Sequence, residues 1–249
     1  MQPKLLTLAL VVLMGTAAAC GGKSTATDET NPSSALPRGS QTVELDPSEF
    51  TTKIDNPYWP MVPGSRWVYV ETDGKGGKAR VEVTVTSRTK SIAGIDAVVV
   101  HDVVSEDGEP VEDTYDWYAQ DAEGNVWYLG EDTKEYENGK VKSTEGSWEA
   151  GVDGAQAGVL LPAHPKPGLA YRQEYYEGEA EDAAEVLSIE EAATVPYGSF
   201  GHVLLTKEYT PLEPKLLEHK FYARGVGPVL AFTVSGGSDR EELVSFERG

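Results

Sequence analysis

The sequence predicts an all-β, antiparallel body, and three observations predict it. Val81, Val83 and Val85 alternate with Glu82, Thr84 and Thr86, the period-two pattern of a half-buried strand. Strand-like runs at 67–71, 97–104, 114–119, 126–129, 203–209, 220–223, 229–234 and 243–246 are punctuated by Asp73-Gly74, Asp107-Gly108, Glu123-Gly124-Asn125 and Asn138-Gly139. Asn-Gly accepts positive φ at both central positions of a type I′ turn and is the strongest of these hairpin signals. Helical vocabulary is scarce. Residues 179–191 would make two or three helical turns, but Val186, Leu187 and Ile189 suit a strand as well.

The first nineteen residues read differently from the rest. A short polar start with Lys4 precedes an apolar run at 5–14 and then Gly15-Thr16-Ala17-Ala18-Ala19, the layout of a cleaved export signal. The apolar run is about 10 residues long, whereas roughly 20 are needed for a helix to cross a bilayer. Ala17-Ala18-Ala19-Cys20, which contains the chain's single cysteine, resembles the lipobox of bacterial lipoproteins. That resemblance implies cleavage after residue 19, acylation of the Cys20 thiol and a membrane lipid as partner. Several acyl chains, each burying roughly 0.8 kcal/mol per methylene, make a stable anchor. A lone cysteine also excludes an internal disulfide.

Residues 20–45 begin Gly21-Gly22-Lys23-Ser24-Thr25-Ala26-Thr27 and stay small and polar, the composition of a flexible linker. A coil of about 25 such residues spans roughly 27 Å, enough to hold a body at 46–249 away from the lipid. That body is acidic. The chain carries a formal charge of −20, and removal of the signal takes one lysine with it. Nucleic acid and anionic lipid are poor partners for such a surface. With 39% hydrophobic and 25% charged residues, the chain is globular rather than disordered.

Laid on itself so that Pro63-Gly64 falls on Pro167-Gly168, the body repeats its landmarks. Trp67 falls on Tyr171, Val83 and Val85 on Leu187 and Ile189, Gly94 on Gly198, and Val99-Val100 on Val203-Leu204. Trp117-Tyr118-Ala119 falls on Phe221-Tyr222-Ala223, and after a one-residue slip Gly124 meets Gly227 and Val126 meets Val229. The expectation is a tandem duplication, with repeats at about 57–131 and 160–235 and a hairpin at Asn138-Gly139 between them.

The same landmarks carry a family resemblance over most of 46–249. Asn56-Pro57-Tyr58-Trp59-Pro60-Met61-Val62-Pro63-Gly64-Ser65-Arg66-Trp67-Val68-Tyr69 and Phe221-Tyr222-Ala223-Arg224-Gly225-Val226-Gly227-Pro228-Val229 resemble the opening and closing strands of uncharacterised exported bacterial β-proteins. The resemblance implies a strongly curved antiparallel sheet, a half-barrel or barrel-like form. It supplies no catalytic residue.

The search for chemistry yields little. His101, His164, His202 and His219 lie far apart in sequence and have no cysteine beside them, unlike the close ligand pairs of structural zinc sites. Asp121-Ala122-Glu123-Gly124-Asn125 is a fragment of a calcium loop and reads equally as a hairpin turn. Tyr197-Gly198-Ser199-Phe200-Gly201 precedes a strand, where a nucleophile elbow would enter a helix. Ser87-Arg88-Thr89-Lys90 lacks the companion motifs of penicillin-recognising enzymes. Gly74-Lys75-Gly76-Gly77 joins two strands, so no helix dipole faces a phosphate. No metal, cofactor or catalytic residue is assigned. Five tryptophans and 12 tyrosines either fill the core or line a concave face that takes an apolar ligand. Tyr58 and Trp59, set among prolines, are the candidate ligand-binding residues, with freer geometry than Trp67 and Trp117. The leading function is a non-enzymatic, lipid-anchored extracytoplasmic protein that binds an apolar ligand or an envelope partner. A secreted hydrolase using carboxylates and a structural or adhesive envelope protein are the alternatives.

Overall fold

A computed structural model describes residues 36–249; the signal and Cys20 lie outside the described residues. A short 3-10 turn at Pro47–Glu49 leads into β1 (Phe50–Thr51), β2 (Arg66–Thr72), β3 (Lys78–Ile92), β4 (Ile95–Glu106), β5 (Glu109–Asp121), β6 (Val126–Glu137), β7 (Lys140–Ser143), β8 (Trp148–Glu149), β9 (Gln156–Leu161), β10 (Ala170–Arg172), β11 (Glu174–Tyr175), β12 (Ala183–Val195), β13 (Gly198–Tyr209), β14 (Leu217–Ala223), β15 (Gly227–Ser235) and β16 (Arg240–Glu247). Every strand pair is antiparallel. The all-β expectation holds, and the 179–191 stretch is a turn followed from Ala183 by the strand β12, with no helix.

Alternation writes the core directly. Ala79, Val81, Val83 and Val85 of β3 are buried while their neighbours face outward. Asn138 and Gly139 both take positive φ (53° and 71°), as the expected two-residue turn between β6 and β7 requires. Asp107 and Gly108 do the same between β4 and β5, and so do Ala93 and Gly94 between β3 and β4.

The strands follow the order β10-β12-β13-β14-β15-β16-β2-β3-β4-β5-β6-β9-β11. Its two ends, β10 and β11, are successive pieces of one chain segment. Ala170–Arg172 pairs with β12 on one side, and Glu174–Tyr175 pairs with β9 on the other. The curved sheet is thereby nearly closed into a barrel, with Gln173 at the bend. The Gln173 amide donates to the Asp182 carbonyl at 2.7 Å. Across the seam a Cβ on Gly158 would lie 2.2 Å from the Gln173 carbonyl oxygen, so only glycine admits this approach.

Hairpin connectivity gives the barrel two different ends. The β3–β4, β5–β6, β12–β13 and β14–β15 turns lie at one end, and the β4–β5, β13–β14 and β15–β16 turns at the other. Residues 54–63 cap the first. The Asn56 side chain donates to the carbonyls of Gly124 (3.1 Å) and Pro162 (3.4 Å), and Gly225 N–H donates to Pro57 O at 2.7 Å. Under this cap Trp59 packs against Trp67, Tyr118 and Tyr222 at ring separations of 6.4, 5.8 and 6.4 Å.

Two expectations need correction. Trp59 does not have freer geometry: it is 3% exposed and Tyr58 is 1% exposed, because the proline-bound segment folds inward and closes this end of the barrel. The body also starts before residue 46. Pro37 is buried, Leu36, Val43 and Leu45 pack against the core, and the Arg172 guanidinium donates to the carbonyls of Gly39 (2.7 Å) and Gln41 (2.6 Å). A buried guanidinium requires acceptors, and this irregular stretch supplies them.

At the landmarks of the expected duplication, Gly64 and Gly168 both take positive φ (91° and 84°). Their amides donate to valine carbonyls, of Val85 and Val186 respectively. The offset is not constant along the chain, since Val186 is not the residue that falls on Val85 when Gly64 falls on Gly168.

Candidate functional site

Away from the cap the barrel interior turns acidic. Strand parity puts Asp102 inward between Val100 and Val104 on β4, Asp116 beside Thr114 on β5, Glu131 on β6, Glu208 beside Thr206 on β13, Glu218 and Lys220 on β14, and Glu241 beside Leu243 on β16; all are buried. Lys220 is the one buried lysine among the described residues. Its ammonium sits 2.7 Å from Glu208 Oε2. Oε1 of the same carboxylate accepts from Thr206 (2.9 Å) and Tyr222 (3.0 Å).

The other acids share protons. Tyr128 Oη lies 2.6 Å from both Asp116 Oδ1 and Glu131 Oε2. One phenolic proton cannot serve two carboxylates, so one acid is protonated and donates to the phenol oxygen. Burial drives this. It pushes Asp116 up to about 7 against the hydrogen bonds of Tyr128 and Tyr118. Burial, reinforced by Glu174 and Asp116, holds Glu131 well above the usual range. Glu218 rises to about 7 and Glu241 to about 8, again chiefly through burial, while Lys220 pulls both down.

This acidic layer reaches the surface in a cleft away from the cap. A cleft of about 560 Å³ opens at the uncapped end, where the closing segment meets the β13–β14 connection. Its walls are Tyr175, Tyr209, Pro211, Pro214, Leu216 and Leu217, and Glu174 and Asp182 lie at its buried side. Arg172 and Lys207 also line it. Both cations are engaged, Arg172 by three backbone carbonyls and Lys207 by Glu185 at 2.5 Å. Glu174 accepts from Trp148 Nε1 at 2.9 Å and contacts the Asp182 carboxyl. Asp182 is 6% exposed, and its Oδ1 has no hydrogen-bond partner. Burial, then Glu174 and Glu208, hold its carboxyl well above the ordinary range. Burial also raises Glu174, to about 7.

No family model matches the chain, and no curated protein matches it. Two solved structures resemble it in outline. One is a candidate exported protein with a YmcC-like fold from Bacteroides fragilis, 13% identical, with 75% of this chain and 97% of that one covered and a TM-score of 0.42. The other is a candidate lipoprotein from Parabacteroides distasonis, 12% identical, with 77% and 99% covered and a TM-score of 0.43. At such values, site and function are read from this chain alone.

The residues singled out in the sequence do not converge on the cleft. Tyr58 sits at the opposite end with Arg224 over its ring at 4.4 Å, beside a second, more polar hollow of about 540 Å³ that includes His164. The Trp59 indole nitrogen is buried without a partner. His101 meets Asp113 (3.1 Å) and His202 meets Glu190 (2.5 Å), and no metal-binding group of three ligands forms among the described residues. Asp121 spends its oxygens on its own turn, accepting from the amides of Glu123 and Asn125 and from Trp127 Nε1. That is the hairpin-turn alternative for this loop. Sequence reasoning missed Glu174 and Asp182. They fall in the acid run 174–182, which reads as solvated surface until the seam at Gln173 folds it inward.

Proposed function

We propose that this chain is a lipid-anchored, non-enzymatic binding protein of the cell envelope, with the cleft at the uncapped end of its barrel taking a small amphipathic ligand. One observation carries the binding reading: an open cavity of about 560 Å³ has apolar walls and a buried polar side, the composition of small-molecule sites. The aromatic residues under the cap belong to the core, so an apolar ligand is better received here than beside Tyr58 and Trp59. The address rests on the export layout and the lipobox-like Ala17-Ala18-Ala19-Cys20. The two halves we read as a tandem duplication, supported by the matching conformations of Gly64 and Gly168 and by Tyr118 and Tyr222 meeting the same Trp59.

The binding reading is tested by titrating the full chain with n-alkanols of increasing length. Each added methylene should tighten binding about fourfold, as roughly 0.8 kcal/mol per buried CH₂ implies, until the cleft is filled. Affinity independent of chain length would reject it. The address is tested by metabolic labelling with a fatty-acid analogue, which should mark the wild type and leave Cys20→Ala unlabelled. Equal label in both would reject the anchor.

A further inference from the structure

We propose that the ligand of this cleft is a primary alkylammonium, an amphipathic monocation whose ammonium donates to Asp182 while its chain lies against Tyr175, Tyr209, Leu216 and Leu217. This deepens the binding reading above and rests on it. The polar groups of the cleft are unevenly served. The Arg172 guanidinium gives its terminal N–H groups to the carbonyls of Gly39, Gln41 and Ala157, and the Lys207 ammonium is held by Glu185. Glu181 accepts from the Gly178 amide at 2.8 Å, and Glu174 from Trp148 at 2.9 Å. Two buried atoms in this group are left unserved: Arg172 Nε, a donor without an acceptor, and Asp182 Oδ1, the one acceptor without a donor.

A buried carboxyl oxygen with no donor costs free energy until one arrives. Beside it stand Glu174 and Glu208, which disfavour its ionised form, while Lys220 and a hydrogen bond from the Thr210 side chain oppose them. Lys220 is already engaged by Glu208. A ligand that brings both a positive charge and N–H donors therefore meets the two needs of this site together. A neutral hydroxyl meets only one, and a carboxylate meets neither. The formal charge of −20 acts in the same direction at long range, drawing cations toward the protein.

The test is isothermal titration of the full chain with three probes of equal length: n-octylamine, 1-octanol and octanoate. Octylamine should bind at least about 10-fold more tightly than octanol, as expected for a hydrogen bond to a charged group. Asp182→Asn should bring octylamine down to the octanol level, a loss at least about 10-fold larger than any change in octanol binding. If octanol binds and octylamine binds no better, the ammonium assignment is wrong and the cleft reading stands. Tighter binding of octanoate would make this an anion site built on Arg172 and Lys207. If none of the three binds, the cleft reading itself fails. Melting curves show whether Asp182→Asn is folded, and the comparison of probes on the wild type decides the question without it.

Discussion

Lys220 reaches diagonally across the β13–β14 ladder to Glu208, where register places Thr206 opposite Lys220 and Glu218 opposite Glu208. The two side chains are 9% and 5% exposed. A pair this dry contributes little net stability over an apolar pair, yet breaking it leaves one charge buried and unpaired. Lys220 also faces Glu218 and Glu241, so its loss is felt by more than one acid. Lys220→Met should cost about 3–5 kcal/mol in denaturant unfolding. Glu208→Gln added to it should recover part of that loss. A cost under about 1 kcal/mol for the single variant would show that the acids there do not depend on the lysine.

The acidic interior also sets the pH dependence. Burial raises Asp116 and Glu174 to about 7, Glu218 to about 7 and Glu241 to about 8. The folded state therefore holds protons that the unfolded chain releases near pH 4–4.5. The stability from these groups is complete below that point and is lost as pH rises through 7 to 8. Acids that accept strong hydrogen bonds work the other way at the low end: Asp73 and Glu82 are lowered by their turn amides and by arginines respectively, so their contribution disappears under strong acid. Stability should be greatest near pH 4–4.5, and the melting temperature should fall by on the order of 10 °C between pH 5.5 and 8.5. A melting temperature that rises over this interval would contradict protonated acids in the core.

The cap predicts that Trp59 is as structural as the strand tryptophans. Its ring fits against Gly227, where a Cβ would stand 2.9 Å from Trp59 Cδ1. Trp59→Ala should cost about 3–5 kcal/mol, comparable to Trp117→Ala, whose side chain is 6% exposed. Paired melting curves measure this. A mild loss for Trp59→Ala beside a severe one for Trp117→Ala would restore the expectation that Trp59 has freer geometry than the strand tryptophans.

These results show what was legible in the sequence. Alternation at Val81, Val83 and Val85 gave strand and inward face together, and Asn138-Gly139 gave its turn. The closing seam was not legible, because a two-residue strand after a bend at Gln173 has no periodicity to read. Tyr58 and Trp59 misled for a related reason: prolines forbid a regular strand there, and irregular backbone resembles exposed backbone until its partners, Gly124, Pro162 and Gly225, are known. The acidic interior did leave a signal. Trp67, Tyr69 and Glu71 share one parity on β2 and are all buried, as are Val100, Asp102 and Val104 on β4. An acid at the core parity of a strand marks an inward-facing carboxyl, even in a chain with 41 acids.

Where a ligand sits on the barrel is tested most directly by photo-crosslinking. An octylamine analogue bearing a diazirine at the end of its chain, irradiated with the full chain and mapped by mass spectrometry, should label peptides covering 172–183 and 207–217, with labelling suppressed by excess octylamine. Label concentrated at the capped end, around Tyr58, His164 and Arg224, would contradict the account and move the binding site to the opposite end of the barrel.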